Sequence, residues 1–179
     1  VPCVSQPKLV EILAEWMSAI AAQGAGEISC WLSERPGQCG CSGCTAIGQF
    51  VLEARAFTAA WRRAQSQYPN LTIRLFLSTT SSQRDHQVVA EAPPEVKIER
   101  ACAVWLERVL HHPRDLMANS LLDSCAAEGR WVASYDVPIG AFGRVDTPEF
   151  KLPARSAHRV RDYVSQLIKR RYHGAYSML

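Results

Sequence analysis

Apolar residues recur at helical spacing in the first part of the chain. Between positions 7 and 23 they fall on one face of a helix, at the i, i+3, i+4 and i+7 positions: Leu9, Ile12, Leu13, Trp16, Met17 and Ile20. Gly24 and Gly26 end this pattern. Alternating apolar residues at positions 28, 30 and 32 then predict a strand, so the chain opens with a helix followed by a strand.

This helix-then-strand order repeats along the rest of the sequence. A second helical face over 50–68 is stopped by Pro69 and Asn70, and a strand is predicted over 71–77. The later repeats pair a helix with a strand at 83–92 and 96–98, at 114–128 and 131–135, and at 160–168 and 175–178. The pattern therefore predicts five strands, each of which follows a helix.

Strands that alternate with helices of this length predict a parallel sheet, because right-handed crossovers place each helix against the sheet. We predict a single α/β domain over residues 1–179. Its expected architecture is part of a (β/α)8 TIM-type barrel, and specifically the C-terminal part of a larger barrel; a five-stranded, open, doubly wound sheet is the alternative. Five strands do not close such a barrel, so we expect an oligomer or a larger polypeptide that covers the strand edges.

Composition and charge limit the partners of this chain. The 179 residues are 47% hydrophobic, which is enough for one substantial core. The net charge is +3, and the basic residues form no concentrated stripe, so we expect no nucleic-acid partner. No apolar run approaches the roughly 20 residues of a membrane-spanning helix, so we expect a soluble protein without a membrane partner.

Three cysteines fall within six residues, at Cys39, Cys41 and Cys44. Closely spaced thiolates with small neighbours converge readily on one zinc ion or on an iron–sulfur cluster. We predict a metal site, with one structural zinc as the expected cofactor and Cys30 as the fourth ligand; Cys3 or a nearby histidine are alternatives. Free thiols, or one disulfide with a spare cysteine, are the competing interpretation. A metal-binding scaffold or interaction module is one candidate function.

A second candidate function comes from the carboxyl ends of the predicted strands, where parallel α/β folds bind ligands. Glu34 and Asp136 follow two of these strands, and a pair of carboxylates is the minimal equipment for acid/base cleavage of a glycosidic bond. Trp31 and Trp105 are candidate platforms for a sugar ring, and Arg100 is a further candidate for contact with a carbohydrate substrate. In the alternative interpretation, each acid caps a helix or pairs with an arginine.

Five segments of the chain carry a resemblance to a known family. They are the opening Val1-Pro-Cys-Val-Ser-Gln-Pro, the strand end Trp31-Leu-Ser-Glu34, the Cys-x-Cys-x-x-Cys loop, the segment Glu53-Ala-Arg55 and the strand start Gly129-Arg-Trp131. Together they resemble uncharacterised bacterial proteins that are similar to glycoside hydrolases. The resemblance implies the second half of a TIM barrel, with Glu34 at the rim position where hexosaminidase-like enzymes carry an acid. Ser33 precedes Glu34 here in place of the usual Asp-Glu pair, which argues against substrate-assisted cleavage.

Overall fold

The computed structural model describes residues 3–33, 39–77, 82–101, 120–135 and 157–176. The helices in these ranges are α1 (Pro7–Ala22), α2 (Ser42–Ile47), α3 (Gln49–Gln65), α4 (Ser82–Glu91), α5 (Ser120–Ala127) and α6 (Ala157–Lys169). The strands are β1 (Glu27–Trp31), β2 (Thr72–Leu77), β3 (Lys97–Ala101), β4 (Val132–Tyr135) and β5 (Gly174–Tyr176). Each strand follows a helix, so the predicted alternation of an α/β protein is confirmed over the described ranges.

The chain forms two compact units, Val1–Ile98 and Glu99–Leu179. In the first unit β1 and β2 are parallel, in a register that begins with Glu27 opposite Thr72. β3 is the other neighbour of β2, so strands that succeed one another in the chain also do so in the sheet. A closed eight-stranded barrel is not seen within the described ranges, and both the barrel and the single domain over 1–179 stay predictions.

Helix α3 lies at the centre of the first unit. Ten of its residues are buried, and it contacts α1, α4 and β2. Small side chains such as Ala54 and Ala60 let the neighbouring elements approach closely. The buried indole N–H of Trp61 donates to the carbonyl oxygen of Leu71 over 2.8 Å, which ties α3 to the start of β2. β2 is apolar and buried over most of its length, as expected for a parallel strand that is covered on both faces.

The apolar faces of two helices are narrower than the sequence predicts. In α1, Met17 is fully buried, whereas Ile12 and Trp16 are 53% and 44% exposed. In α6, Leu167 is buried, but its neighbour Ile168 is exposed. Helix α1 therefore packs through a narrow stripe of side chains, and in both helices some apolar groups of the predicted face lie at the surface.

Strand β3 is longer than the predicted 96–98 and runs from Lys97 to Ala101. The charged residues of β3 made its full length hard to predict from the sequence, because charged residues are unfavourable in a buried strand. The Lys97 ammonium donates a hydrogen bond to the Glu27 carboxylate of β1, so this charge is compensated by a residue far away in the chain. Arg100 consequently lies inside β3 and not beyond its end, as the shorter predicted strand had implied.

In the second unit, β4 and β5 are parallel, with Ala133 opposite Gly174. The Asp123 carboxylate of α5 accepts hydrogen bonds from Arg170 Nη1 at 2.8 Å and from Tyr172 Oη at 3.1 Å. These two donors lie between the end of α6 and the start of β5. The contacts therefore hold the connection between α6 and β5 against α5.

Candidate metal centre

Four cysteines of the first unit meet at one point. The sulfur atoms of Cys3, Cys39, Cys41 and Cys44 all lie within 4.8 Å of one another. The Sγ atom of Cys3 is 3.5 Å from that of Cys41 and 3.6 Å from that of Cys44. The closely spaced cysteines of the sequence are thus brought together, and these four side chains could bind a metal ion.

The short helix α2 positions two of the sulfurs. Cys41 is its N-cap residue, and the Cys41 sulfur accepts a hydrogen bond from the backbone N–H of Cys44 at 3.4 Å. Cys44 is buried in the first turn of α2, so the cap contact and the helical turn place both sulfurs on the same side. Gly48, with a φ of 95°, ends the helix in a conformation that side chains rarely adopt.

The fourth sulfur comes from the turn that precedes α1. The backbone N–H of Gln6 donates to the Cys3 carbonyl oxygen at 3.2 Å, which closes this turn. The Ser5 hydroxyl lies 3.1 Å from the Cys3 sulfur and 3.4 Å from the Cys41 sulfur, so it bridges the two segments. A Cβ atom at Gly43 would lie 3.1 Å from the Ser5 side chain, so a larger residue there would push against this turn, and glycine permits the close approach of α2.

The hydrogen bonds within the cluster give its thiols unequal acidities. The Ser5 hydroxyl, helped by the backbone N–H of Cys44, lowers the pKa of Cys41 to about 6. The same hydroxyl lowers the pKa of Cys3. The backbone N–H of Cys41 also favours the thiolate of Cys39, but the other three thiols oppose it and raise the pKa of Cys39 to about 12. Neighbouring thiolates repel one another, so a bound cation is what lets four such groups ionise together.

Cys30, the predicted fourth ligand, is not part of this group. It lies in β1 and is 1% exposed, and burial raises its pKa to about 12. Its sulfur has the carbonyl oxygen of Ile28 as a partner, at 4.0 Å. Cys3, which is an alternative in the sequence, takes the place that Cys30 was predicted to fill. The physical reason is the strand, because its alternation turns the Cys30 side chain into the core.

The predicted carbohydrate site is described only in part. Glu34, Asp136 and Trp105 lie outside the described residues. Trp31 is the last residue of β1, its side chain is 53% exposed, and its ring packs edge-on against Phe76 with the centroids 4.5 Å apart. Trp31 belongs to the first unit and Arg100 to the second.

A buried carboxylate at the end of β1 was not singled out as a site residue in the sequence. Glu53 of α3 is 7% exposed and accepts three hydrogen bonds. They come from the backbone N–H of Ser33 at 2.9 Å, the Ser33 hydroxyl at 2.6 Å and the Gln49 side-chain amide at 2.6 Å. The signal that identifies it is its spacing, because Glu53 lies three residues after Phe50 and four before Phe57, on the apolar face of the helix.

Comparison with known proteins adds no family to this description: no protein-family model, no curated protein and no solved structure gives a significant match to the chain. The resemblance to glycoside hydrolases therefore stays a prediction from the sequence. Among the described helices, none has both the length and the apolar character needed to cross a membrane.

Proposed function

We propose that this protein is a metal-binding scaffold in which Cys3, Cys39, Cys41 and Cys44 hold one zinc ion. The observation that carries the proposal is the spacing of the four sulfurs, all within 4.8 Å. Thiolates at about 2.3 Å from a tetrahedral zinc ion lie about 3.8 Å from one another. The separations of 3.5 and 3.6 Å around the Cys3 sulfur are close to that value.

The same spacing favours a single ion over an iron–sulfur cluster. In a cluster the four thiolates are distributed over two or four irons, so at least some of them lie farther apart than four ligands of one ion. A set of four cysteine ligands also fills all the positions of a tetrahedral ion and leaves none for water or substrate, which is typical of structural zinc. The role of the metal is therefore to join the turn before α1 to α2.

Elemental analysis and cobalt substitution test the proposal. Purified protein should contain about one zinc per chain, and the cobalt-loaded form should show the intense visible absorption of tetrahedral thiolate coordination. Cys3→Ala and Cys41→Ser should each lose both signals, because each removes one of the four ligands.

Cys30→Ala is the matched control, since it removes a thiol of the same unit that lies outside the cluster. It should retain the metal at wild-type stoichiometry. Metal-free wild-type protein that is normally folded, or metal lost from Cys30→Ala but kept by Cys3→Ala, would refute the site. A Cys3–Cys41 disulfide in protein purified without reductant would support the competing thiol interpretation.

A second candidate function is cleavage of a glycosidic bond by Glu34 and Asp136 on part of a TIM-type barrel. The observation that favours it is the exposed Trp31 side chain at the carboxyl end of β1, three residues before Glu34. An exposed indole at a strand end is a surface on which a sugar ring can stack.

Hydrolysis of a panel of aryl glycosides tests this candidate. Glu34→Gln should abolish hydrolysis while leaving the melting temperature nearly unchanged, because it removes the proton donor and keeps the side-chain shape. Wild-type protein that is inactive on the whole panel, or a variant with full activity, would eliminate the candidate.

A further inference from the structure

A cavity of about 200 Å³ lies between α1, α3 and the end of β1 in the first unit. Most of its wall is apolar, with Leu9 and Leu13 from α1 and Phe57 from α3. Trp31 forms the wall at the end of β1. The cavity is larger than a protein cavity of about 150 Å³ that is known to hold benzene, so it has room for a molecule built on one ring.

One side of this cavity carries a negative charge. The carboxylate of Glu53 lies in the wall beside its hydrogen-bond donors, Ser33 and Gln49. All three donated hydrogen bonds come from neutral groups, which orient the carboxylate without neutralising it. Among the described residues that line the cavity, none is a lysine, an arginine or a histidine.

A carboxylate that is only 7% exposed and has no cationic group among the described residues of the cavity wall is costly, because its lost hydration is only partly replaced by neutral hydrogen bonds. Two oxygens have about four sites for hydrogen-bond donors, and three of those are in use. One site therefore remains for a further donor, and a positively charged donor offsets the buried charge best.

The cavity walls indicate the rest of the ligand that would carry this positively charged donor. Trp31 and Phe57 are aromatic. Aromatic rings attract ammonium groups through their faces, and they also pack against apolar groups. A sugar fits less well, because it brings many hydroxyl groups and the described wall has few polar groups to bond them. We propose that the Glu53 cavity binds a small primary amine with an apolar, single-ring body, whose ammonium group donates to Glu53. This site is distinct from the metal centre, although Val4 of the turn that carries Cys3 also lines the cavity.

Calorimetric titration of the purified protein with benzylamine, and separately with benzyl alcohol, tests the proposal. The two molecules have the same ring and nearly the same shape, but only the amine is charged. We expect benzylamine to bind about tenfold or more tightly than benzyl alcohol, as a charge-assisted hydrogen bond implies. Equal affinities, or no binding of either molecule, would overturn the proposal.

Three variants locate the bound amine. Glu53→Gln should remove the preference for the amine, and Glu91→Gln, which neutralises an exposed carboxylate of α4, should keep it. Because Glu53→Gln also loosens the end of β1, a variant that keeps Glu53 is needed as well. Ala56→Leu leaves Glu53 in place and fills the cavity that Ala56 lines, so it should abolish binding of both molecules. Undiminished benzylamine binding by Ala56→Leu would place the amine elsewhere and refute the site.

Discussion

Substitution of Glu53 by glutamine should destabilise the protein more than its small chemical change suggests. The carboxylate links α3 to Ser33, the second residue after β1, and also to Gln49 of its own helix. An amide of the same shape has one acceptor oxygen and one donor group. Whichever way the amide turns, at least one of the existing donors then faces an NH2 group.

The structure gives the size of the effect. If the amide oxygen of the new glutamine accepts the hydrogen bonds from Ser33 Oγ and Gln49, both of these bonds become weaker, because charge-assisted hydrogen bonds are about twice as strong as neutral ones. The backbone N–H of Ser33 loses its acceptor, and an unsatisfied buried donor costs about 1–3 kcal/mol. Removing a buried charge returns part of this loss. We therefore expect the free energy of unfolding to fall by about 2 kcal/mol.

Urea unfolding followed by circular dichroism measures this change, and Glu91→Gln is the matched control. Glu91 accepts two hydrogen bonds from Arg55, at 2.7 and 2.8 Å, but the pair is exposed. Exposed ion pairs add little to stability, so the control should lower the free energy of unfolding much less than Glu53→Gln. If the control costs as much as Glu53→Gln, or if Glu53→Gln costs nothing, the network of Glu53 is not structural.

Two further predictions rest on other contacts, and a third on the open strand edges. Trp61→Phe should lower the free energy of unfolding in urea by roughly 1–2 kcal/mol, because Gln65 Nε2 still donates to the Leu71 carbonyl oxygen at 3.1 Å. In a Gln65→Leu background the same substitution should cost more, and equal costs in the two backgrounds would contradict a shared acceptor. Gly43→Ala should weaken zinc binding in titrations against a chromogenic chelator. Gly40→Ala should not, because a Cβ atom at Gly40 would have no neighbour within 4 Å. Equal zinc affinities of the two variants would contradict the close approach of α2. We also expect the chain to self-associate or to bind the rest of a larger protein, and sedimentation as a well-folded monomer at micromolar concentration would count against this.

The sequence predicts the regular elements well because each depends on local spacing. The apolar periodicity that predicts a helix over 7–23 corresponds to α1, and the strand over 71–77 corresponds to β2. Helix α2 was not predicted, because its six residues are too few to show a period. Its N-cap is the sulfur of Cys41, and cysteine is not among the residues that usually mark the start of a helix.

The metal centre could be predicted only up to its third ligand. Three of the cysteines are close in sequence, and that closeness alone indicates convergence on a centre. The choice between Cys3 and Cys30 depends on the packing of α1 against α3, which brings the turn before α1 to α2. Cys30 is much nearer to the loop in sequence than Cys3 is, so spacing alone favours the residue that the fold keeps apart from the cluster. Glu53 was missed for a similar reason, because its donors come from Ser33 as well as from its own helix.

X-ray absorption at the zinc edge of the purified, zinc-loaded protein tests the central claim most directly, since it reports the identity and distance of the atoms bound to the metal. We predict four sulfur neighbours at about 2.3 Å and no nitrogen or oxygen ligand. Cys30→Ala should give the same spectrum, and Cys3→Ala should lose one sulfur neighbour or the metal itself. A wild-type spectrum with nitrogen or oxygen ligands, or with fewer than four sulfurs, would contradict a zinc ion held by the four cysteines.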